Sequence, residues 1–294
     1  MTVAGALSRH DKTVAVVGGG TMGVGIVYVF AAAGFDVWLA EPDDVRAESA
    51  RRMLGEAAKS GVSRGKLSET QAQNALQSVR RVASAADLPE DLDLAIETVP
   101  ERIELKRQVL AQIDLRLPKA IATNTSSLSI DALGGSMRDP SAFLGMHFFN
   151  PVWSLPMVEL IRGERTSDQT LSRAREFAEA TGKTTITVRD TPGFATSRLD
   201  LIASLEAIRM LQDGVASADD IDRAMVVAYR HPIGPLRLSD IVGLDVRLDI
   251  ARHLSVALGP RYAPPKLLED MVARGELGQK TGKGFFDWPP SART

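Results

Sequence analysis

An apolar run, Thr13-Val-Ala-Val-Val17, breaks into three consecutive glycines and a fourth three residues on, in Gly18-Gly-Gly-Thr-Met-Gly23. Gly18, Gly20 and Gly23 stand at the G-x-G-x-x-G spacing of a dinucleotide-binding turn. Each position has a mechanical use there. Gly18 lets the chain reverse tightly, Gly20 lets backbone N–H groups approach a pyrophosphate, and Gly23 lets the following helix pack close to the strand. The phosphates then sit on the positive end of that helix, which places Thr21 and Met22 in the cofactor turn with the glycines. A helix over 22–33 ends at Gly34, a second strand follows over 36–40, and Glu41 comes next, eighteen residues after Gly23. A carboxylate at that place accepts hydrogen bonds from both ribose hydroxyls of NAD and repels the extra phosphate of NADP. The cofactor expected is therefore NAD.

A chain of 294 residues is long enough for one large or two ordinary domains with a buried core. Its net charge of −2 lacks the basic bias of a nucleic-acid binder, so phosphate recognition must be local. There is no cysteine, which excludes disulfides, thiolate nucleophiles and Cys-ligated metal centres and is compatible with a reducing cytosol. Residues 1–12, with Arg9, His10 and Asp11, hold no apolar core of signal-peptide length, and the longest apolar stretch, 24–35, is too short to span a bilayer. The expectation is a cytoplasmic protein with neither membrane nor nucleic acid as partner.

Farther along, Pro42 suits the first position of a solvated helix over 43–60. A basic link over 59–66 carries Lys59, Arg64 and Lys66, and Ser68-Glu-Thr-Gln71 is a capping box opening a helix to about 78. The two helices read as a hairpin projecting from the nucleotide-binding fold, with three cations able to hold the phosphates of a long substrate. A buried strand over 94–99 ends in Pro100-Glu101 before an amphipathic helix over 102–116. A short strand over 121–123 runs into Asn124-Thr-Ser-Ser127, at a strand end where open α/β sheets place their ligands. Strands over 158–161 and 185–188 flank a helix over 167–180.

At Asp190-Thr-Pro-Gly193 the alternation of strand and helix stops, and helices follow over 194–213, 218–229, 244–258 and 266–274. The fold class expected is α/β: a Rossmann-type dinucleotide-binding domain over 1–190 with a helical hairpin insertion, then an all-α domain over 191–294.

Hydride transfer without cysteine needs a group that handles the accompanying proton, and histidine suits it because it titrates near neutrality. Of four histidines, His10 lies in the leader, His231 precedes Pro232 in a turn and His253 sits beside Arg252 on a charged helix. Only His147 stands at a strand end in the nucleotide-binding half. Glu159, twelve residues later, reaches the neighbouring strand after the Asn150-Pro151 turn. A carboxylate on one ring nitrogen orients an imidazole and stabilises its protonated form. The competing reading from spacing alone is a structural histidine with its hydrogen bonds satisfied.

The segments together resemble the L-3-hydroxyacyl-CoA dehydrogenases over nearly the whole chain. The resemblance is carried by the glycine turn, Ala122-Thr-Asn-Thr-Ser-Ser-Leu128, Gly145-Met-His-Phe-Phe-Asn-Pro151, Val158-Glu-Leu-Ile-Arg-Gly163, Asp190-Thr-Pro-Gly-Phe194, Asp219-Asp-Ile-Asp222, Pro232-Ile-Gly-Pro235 and Lys280-Thr-Gly-Lys-Gly-Phe285. It implies that His147 is the general base, Glu159 its electrostatic partner, and Ser126 a hydrogen-bond donor near the substrate hydroxyl and nicotinamide. Glu41, Glu101, Lys106, Asn124, Asn150 and Lys280 match the cofactor set, and the helical domain is implied to be the surface of a homodimer and the cover over the acyl chain.

Three departures bear on the substrate. Ser197 stands where the family usually has an active-site asparagine, Trp153-Ser-Leu-Pro156 replaces its proline and lysine pattern, and Ala57 replaces a serine that contacts coenzyme A in some members. The activity implied is NAD-dependent oxidation of an L-3-hydroxyacyl thioester, foremost 3-hydroxybutyryl-CoA to acetoacetyl-CoA. Three other readings stand beside it: the same group on an acyl carrier protein docked near Lys66, a free hydroxy acid such as L-gulonate, and a non-catalytic nucleotide binder akin to a lens crystallin. The presence of both His147 and Glu159 counts against the last.

Overall fold

Thr13–Val17 (β1) is an interior strand of an eight-stranded sheet in the computed structural model, which describes residues 12–289. The leader with His10 lies outside the described residues. Two units divide the chain, the first ending at Thr191 and the second beginning at Pro192.

The first unit continues through Thr21–Ala32 (α1), Asp36–Ala40 (β2), Asp44–Ser63 (α2), Glu69–Gln77 (α3), Val79–Val82 (β3), Leu94–Glu97 (β4), Ile103–Asp114 (α4) and Ile121–Thr123 (β5). It is completed by Ile130–Gly134 (α5), Phe143–Phe148 (β6), Met157–Arg162 (β7), Asp168–Ala180 (α6) and Thr184–Arg189 (β8). The order across the sheet is β3-β2-β1-β4-β5-β6-β7-β8. Strands β1 to β6 are parallel, β7 turns back antiparallel to β6, and β8 runs parallel to β7. Strands β1, β4 and β6 are almost continuously buried, as parallel strands covered on both faces must be. Between β1 and β4 the strand order reverses, and the carboxyl ends there open a crevice.

The turn after β1 needs its glycines for concrete reasons. Gly18 has φ +114°, and a Cβ on Gly23 would collide with the carbonyl oxygen of Gly18.

The sequence reading missed β3, whose two central residues are the exposed Arg80 and Arg81 of a sheet edge. With β3 in place, α2 and α3, packed against one another, form the crossover between two parallel strands. Ala50, Leu54, Ala58, Ala72 and Ala75 are buried in the same core as Val27 and Phe30 of α1. Helix α2 runs on to Ser63, so Lys59 is helical and the link begins only at Arg64. Nor is Pro42 its first residue, because the Asp43 side chain caps the helix by accepting the Arg46 N–H at 2.9 Å. The capping box at Ser68 forms as expected, its hydroxyl accepting from the Gln71 N–H at 3.1 Å and the Gln71 side chain from the Ser68 N–H at 2.8 Å.

The second unit holds Thr196–Gln212 (α7), Ala218–Arg223 (α8), Pro235–Val242 (α9), Leu244–Leu258 (α10) and Lys266–Ala273 (α11) around Leu201, Leu205, Ile208, Leu236, Leu248 and Leu254. The helix expected over 218–229 leaves α geometry at Arg223 and widens to a π-turn over Ala224–Ala228. Helix α9, which opens on Gly234-Pro235, went unread. Its first turn is held by the buried Asp222, whose carboxylate accepts the N–H groups of Leu236 and Arg237, each at 2.9 Å. Among the described residues no helix is long and apolar enough to cross a membrane.

Candidate active site

Above the carboxyl ends of the strands, the first unit encloses a crevice of about 1260 Å³. Gly18, Gly20, Thr21, Met22 and Glu41 line it on one side, and Glu101, Asn124, Ser126, His147 and Asn150 on the other. Helix α1 begins at Gly20 with no side-chain cap, which leaves its first N–H groups for an anion. Glu41 is buried, and its carboxylate accepts the Gly19 N–H at 2.8 Å and the Asp43 N–H at 3.1 Å. Gly19 is the member of the turn to which sequence reasoning gave no role. A Cβ there would press on the Glu41 side chain at 3.0 Å, so the middle glycine fixes the distance between turn and carboxylate. A glycine cradle, an open helix end and a carboxylate at the second strand end fit the pyrophosphate and ribose of a dinucleotide.

His147 and Glu159 are directly opposite residues on the antiparallel pair β6 and β7, sharing one rung of the ladder. Directly opposed positions put their side chains on one face of the sheet. Here His147 Nδ1 lies 3.1 Å from Glu159 Oε2, with Glu159 fully buried and His147 8% exposed on the crevice wall. The Phe149 ring leans against the imidazole at 4.4 Å. A carboxylate on Nδ1 fixes the ring orientation, and Nε2 then points away from Glu159 as the nitrogen suited to exchange a proton with a substrate.

Next to the His147 strand, the loop after β5 is held by acidic and basic groups beneath it. Glu101 accepts the Thr125 hydroxyl at 2.5 Å, the Ser126 N–H at 3.0 Å and the Ser127 N–H at 3.2 Å through one oxygen. Burial alone would raise the Glu101 carboxyl, but the Thr125 hydroxyl and the Lys106 ammonium hold it below its usual range. Asn124 accepts the Phe148 N–H at 2.8 Å, which ties the loop to the strand of His147.

Lys106, which the resemblance counts with the cofactor set, lies behind the crevice wall next to Glu101. It is fully buried and does not line the crevice; its ammonium lies 2.8 Å from Glu97, 3.4 Å from Glu101 and 3.1 Å from the Val99 carbonyl oxygen. The physical reason is Glu97, fully buried on β4, which needs a cation and also takes the Thr123 hydroxyl at 2.6 Å. Even so, burial pushes the Glu97 carboxyl up. Sequence reasoning missed Glu97, although a glutamate inside an otherwise apolar strand was a visible signal.

The basic residues are separated by the fold. Arg64 and Lys66 line a second, smaller pocket of about 270 Å³ with Tyr28, Ala57 and Trp153, whereas Lys59 does not. Ser197 lies in the first turn of α7 and Lys280 pairs with Asp245 at 2.5 Å, both in the second unit. His231 and His253 are exposed.

The family model for the NAD binding domain of 3-hydroxyacyl-CoA dehydrogenase matches residues 13–191, and that for its C-terminal domain matches 193–288. A 3-hydroxybutyryl-CoA dehydrogenase of Mycobacterium tuberculosis is 39% identical over 96% of this chain and 100% of its own length. One from Clostridioides difficile is 38% identical over 93% of this chain and 98% of its own. The crystal structure of (S)-3-hydroxybutyryl-CoA dehydrogenase from Ralstonia eutropha matches with a TM-score of 0.90 at 37% identity, covering 95% of this chain and 99% of that one. With both domains matched in order and these relatives aligned from end to end, the chain belongs to the 3-hydroxyacyl-CoA dehydrogenase family.

Proposed function

We propose that the protein is an NAD-dependent oxidoreductase interconverting an L-3-hydroxyacyl-CoA and the 3-ketoacyl-CoA, with 3-hydroxybutyryl-CoA, the substrate in its relatives' names, as the first candidate. The observation that carries the reading is the His147–Glu159 rung on the wall of a crevice that fits a dinucleotide. NAD, when bound, accepts the hydride from C3. His147 takes the 3-hydroxyl proton on Nε2 in the direction of oxidation and returns it in reduction, and the Glu159 carboxylate stabilises the imidazolium formed in between. Ser126 donates a hydrogen bond to the substrate oxygen from the loop that Glu101 holds. Gly18, Gly20, Thr21 and Met22 bind the pyrophosphate, Glu41 the ribose, and Asn124 and Asn150 the far wall.

The carrier is coenzyme A because the smaller pocket combines two cations, Arg64 and Lys66, with the aromatic rings of Tyr28 and Trp153. Phosphate and a heteroaromatic base suit that lining. An acyl carrier protein presents the same thioester and would meet the same cations, so the two are separated by assay. A homodimer through the helical unit and a cytoplasmic setting complete the reading. The exposed Leu199, Val227, Tyr229 and Val256 support the dimer, which light scattering tests.

Initial rates with NAD and NADP decide the function, measured across L-3-hydroxybutyryl-CoA, the same acyl group on carrier protein, and L-gulonate. Fastest NADH formation from the coenzyme A thioester is expected. No NADH from any hydroxyacyl-CoA overturns the reading.

A further inference from the structure

The loop over 149–156 joins the strand of His147 to the strand of Glu159 and serves two pockets. Its first residues, Phe149 and Asn150, form part of the crevice wall, and Trp153 forms part of the smaller pocket with Arg64 and Lys66. Four fastenings hold it. The Val152 side chain, 1% exposed, sits in a notch on α1 that exists only because residue 25 is glycine, since a Cβ there would come within 2.7 Å of Val152. The Pro156 carbonyl oxygen accepts the Thr184 N–H at 2.7 Å, and the Trp153 ring meets the Tyr28 ring edge-on at 6.3 Å.

The fourth fastening is Lys183, just ahead of β8. Its ammonium, on a side chain only 7% exposed, donates to the Val152 carbonyl oxygen and to the Leu155 carbonyl oxygen, the latter at 2.7 Å. Two carbonyls three residues apart thus converge on one cation. Burial and the nearby Lys66 charge both push the Lys183 ammonium below its usual range. A lysine is an expensive way to satisfy two carbonyls, because it gives up rotamer freedom and hydration that a bridging water would not. What it adds is a fixed point between the two walls.

We propose that Lys183 is a positioning residue for the reaction: by clamping the 149–156 loop it sets both the Phe149–Asn150 wall of the dinucleotide crevice and the Trp153 wall of the smaller pocket. The choice of ligands for its test rests on the proposed function. A lysine that merely stabilised the fold would lower the melting temperature of its variants and leave ligand affinities in the folded protein alone.

The test is Lys183→Met in the full-length protein, with dissociation constants for NADH and for acetoacetyl-CoA measured beside the parent. Tryptophan emission is recorded in both the parent and the Trp153→Phe background. Loss of a charge-assisted clamp is expected to weaken each ligand about 10-fold. It is also expected to shift an emission component that is absent when Trp153 is phenylalanine. If Lys183→Met does not fold, Lys183→Gln replaces it, since its amide keeps a donor for one carbonyl; the same shift with about threefold weaker binding of both ligands is then expected. Either folded variant in which one ligand binds within about twofold of the parent, or in which the Trp153 component is unmoved, overturns the proposal. A parent that binds neither ligand would instead sink the proposed function, so the two failures are told apart.

Discussion

Glutamine at position 159 isolates the charge in the His147–Glu159 pair, because it keeps the shape and an oxygen acceptor and removes only the negative charge. The separation is 3.1 Å and Glu159 is fully buried. Coulomb's law at that distance, with an effective dielectric of about 20, gives roughly 5 kcal/mol between unit charges. Only part of that is lost. The imidazole carries a fraction of its positive charge while the proton is in flight, and a neutral acceptor retains about half the strength of a charged one. A transition-state loss of roughly 2–3 kcal/mol follows, which is a fall in kcat of about 30- to 150-fold. The assay is initial-rate oxidation of L-3-hydroxybutyryl-CoA at saturating NAD, with NADH binding measured by fluorescence as the control. Glu159→Gln protein that binds NADH normally and turns over within about threefold of the parent would refute the role given to the carboxylate.

Glu41→Ser removes the charge that opposes a ribose phosphate and is expected to raise the NADP-to-NAD ratio of kcat/KM by about 10- to 100-fold; an unchanged ratio assigns cofactor choice elsewhere. Lys106→Met strands the Glu97 carboxylate in the core and should cost about 3–5 kcal/mol in urea unfolding, most of it regained by a Lys106→Met/Glu97→Met double variant. Acidification should bring out the Glu101 network. The Glu101 carboxyl sits below its ordinary 4.5 when folded, so its stabilisation is complete above 4.5 and is lost as pH falls from there through the lower folded value. Thermal melting between pH 5 and pH 3 should therefore decline less steeply in Glu101→Gln than in the parent, and equal slopes would count against the network.

The pattern of glycines, the capping box at Ser68 and the run of buried strands were readable because each is a local rule with one structural answer. The His147–Glu159 contact was readable as a candidate only, since spacing of twelve residues allows a hairpin but does not fix its register. Register is set by which face of each strand is buried, and the anchors of the linking loop over 149–156, Gly25 and Lys183, lie far off in the chain. Edge strand β3 escaped notice because Arg80 and Arg81 give it no apolar alternation, and the meaning of α2 and α3 was lost with it. Lys106 was legible through its motif, but its pairing with the buried Glu97 was not, because a motif says nothing about which neighbour a charge meets.

Because the imidazole and the carboxylate are neighbours on one hairpin ladder, their spacing is inherited from main-chain pairing and owes little to the segment that links them. A slip of one residue would send the two side chains to opposite faces, so drift in register is ruled out while drift in the linking segment is not. Proton handling and substrate choice are thereby assigned to separate stretches of sequence. The unusual Trp153-Ser-Leu-Pro156 passage is a place where such a chain can acquire a new substrate and keep its old chemistry.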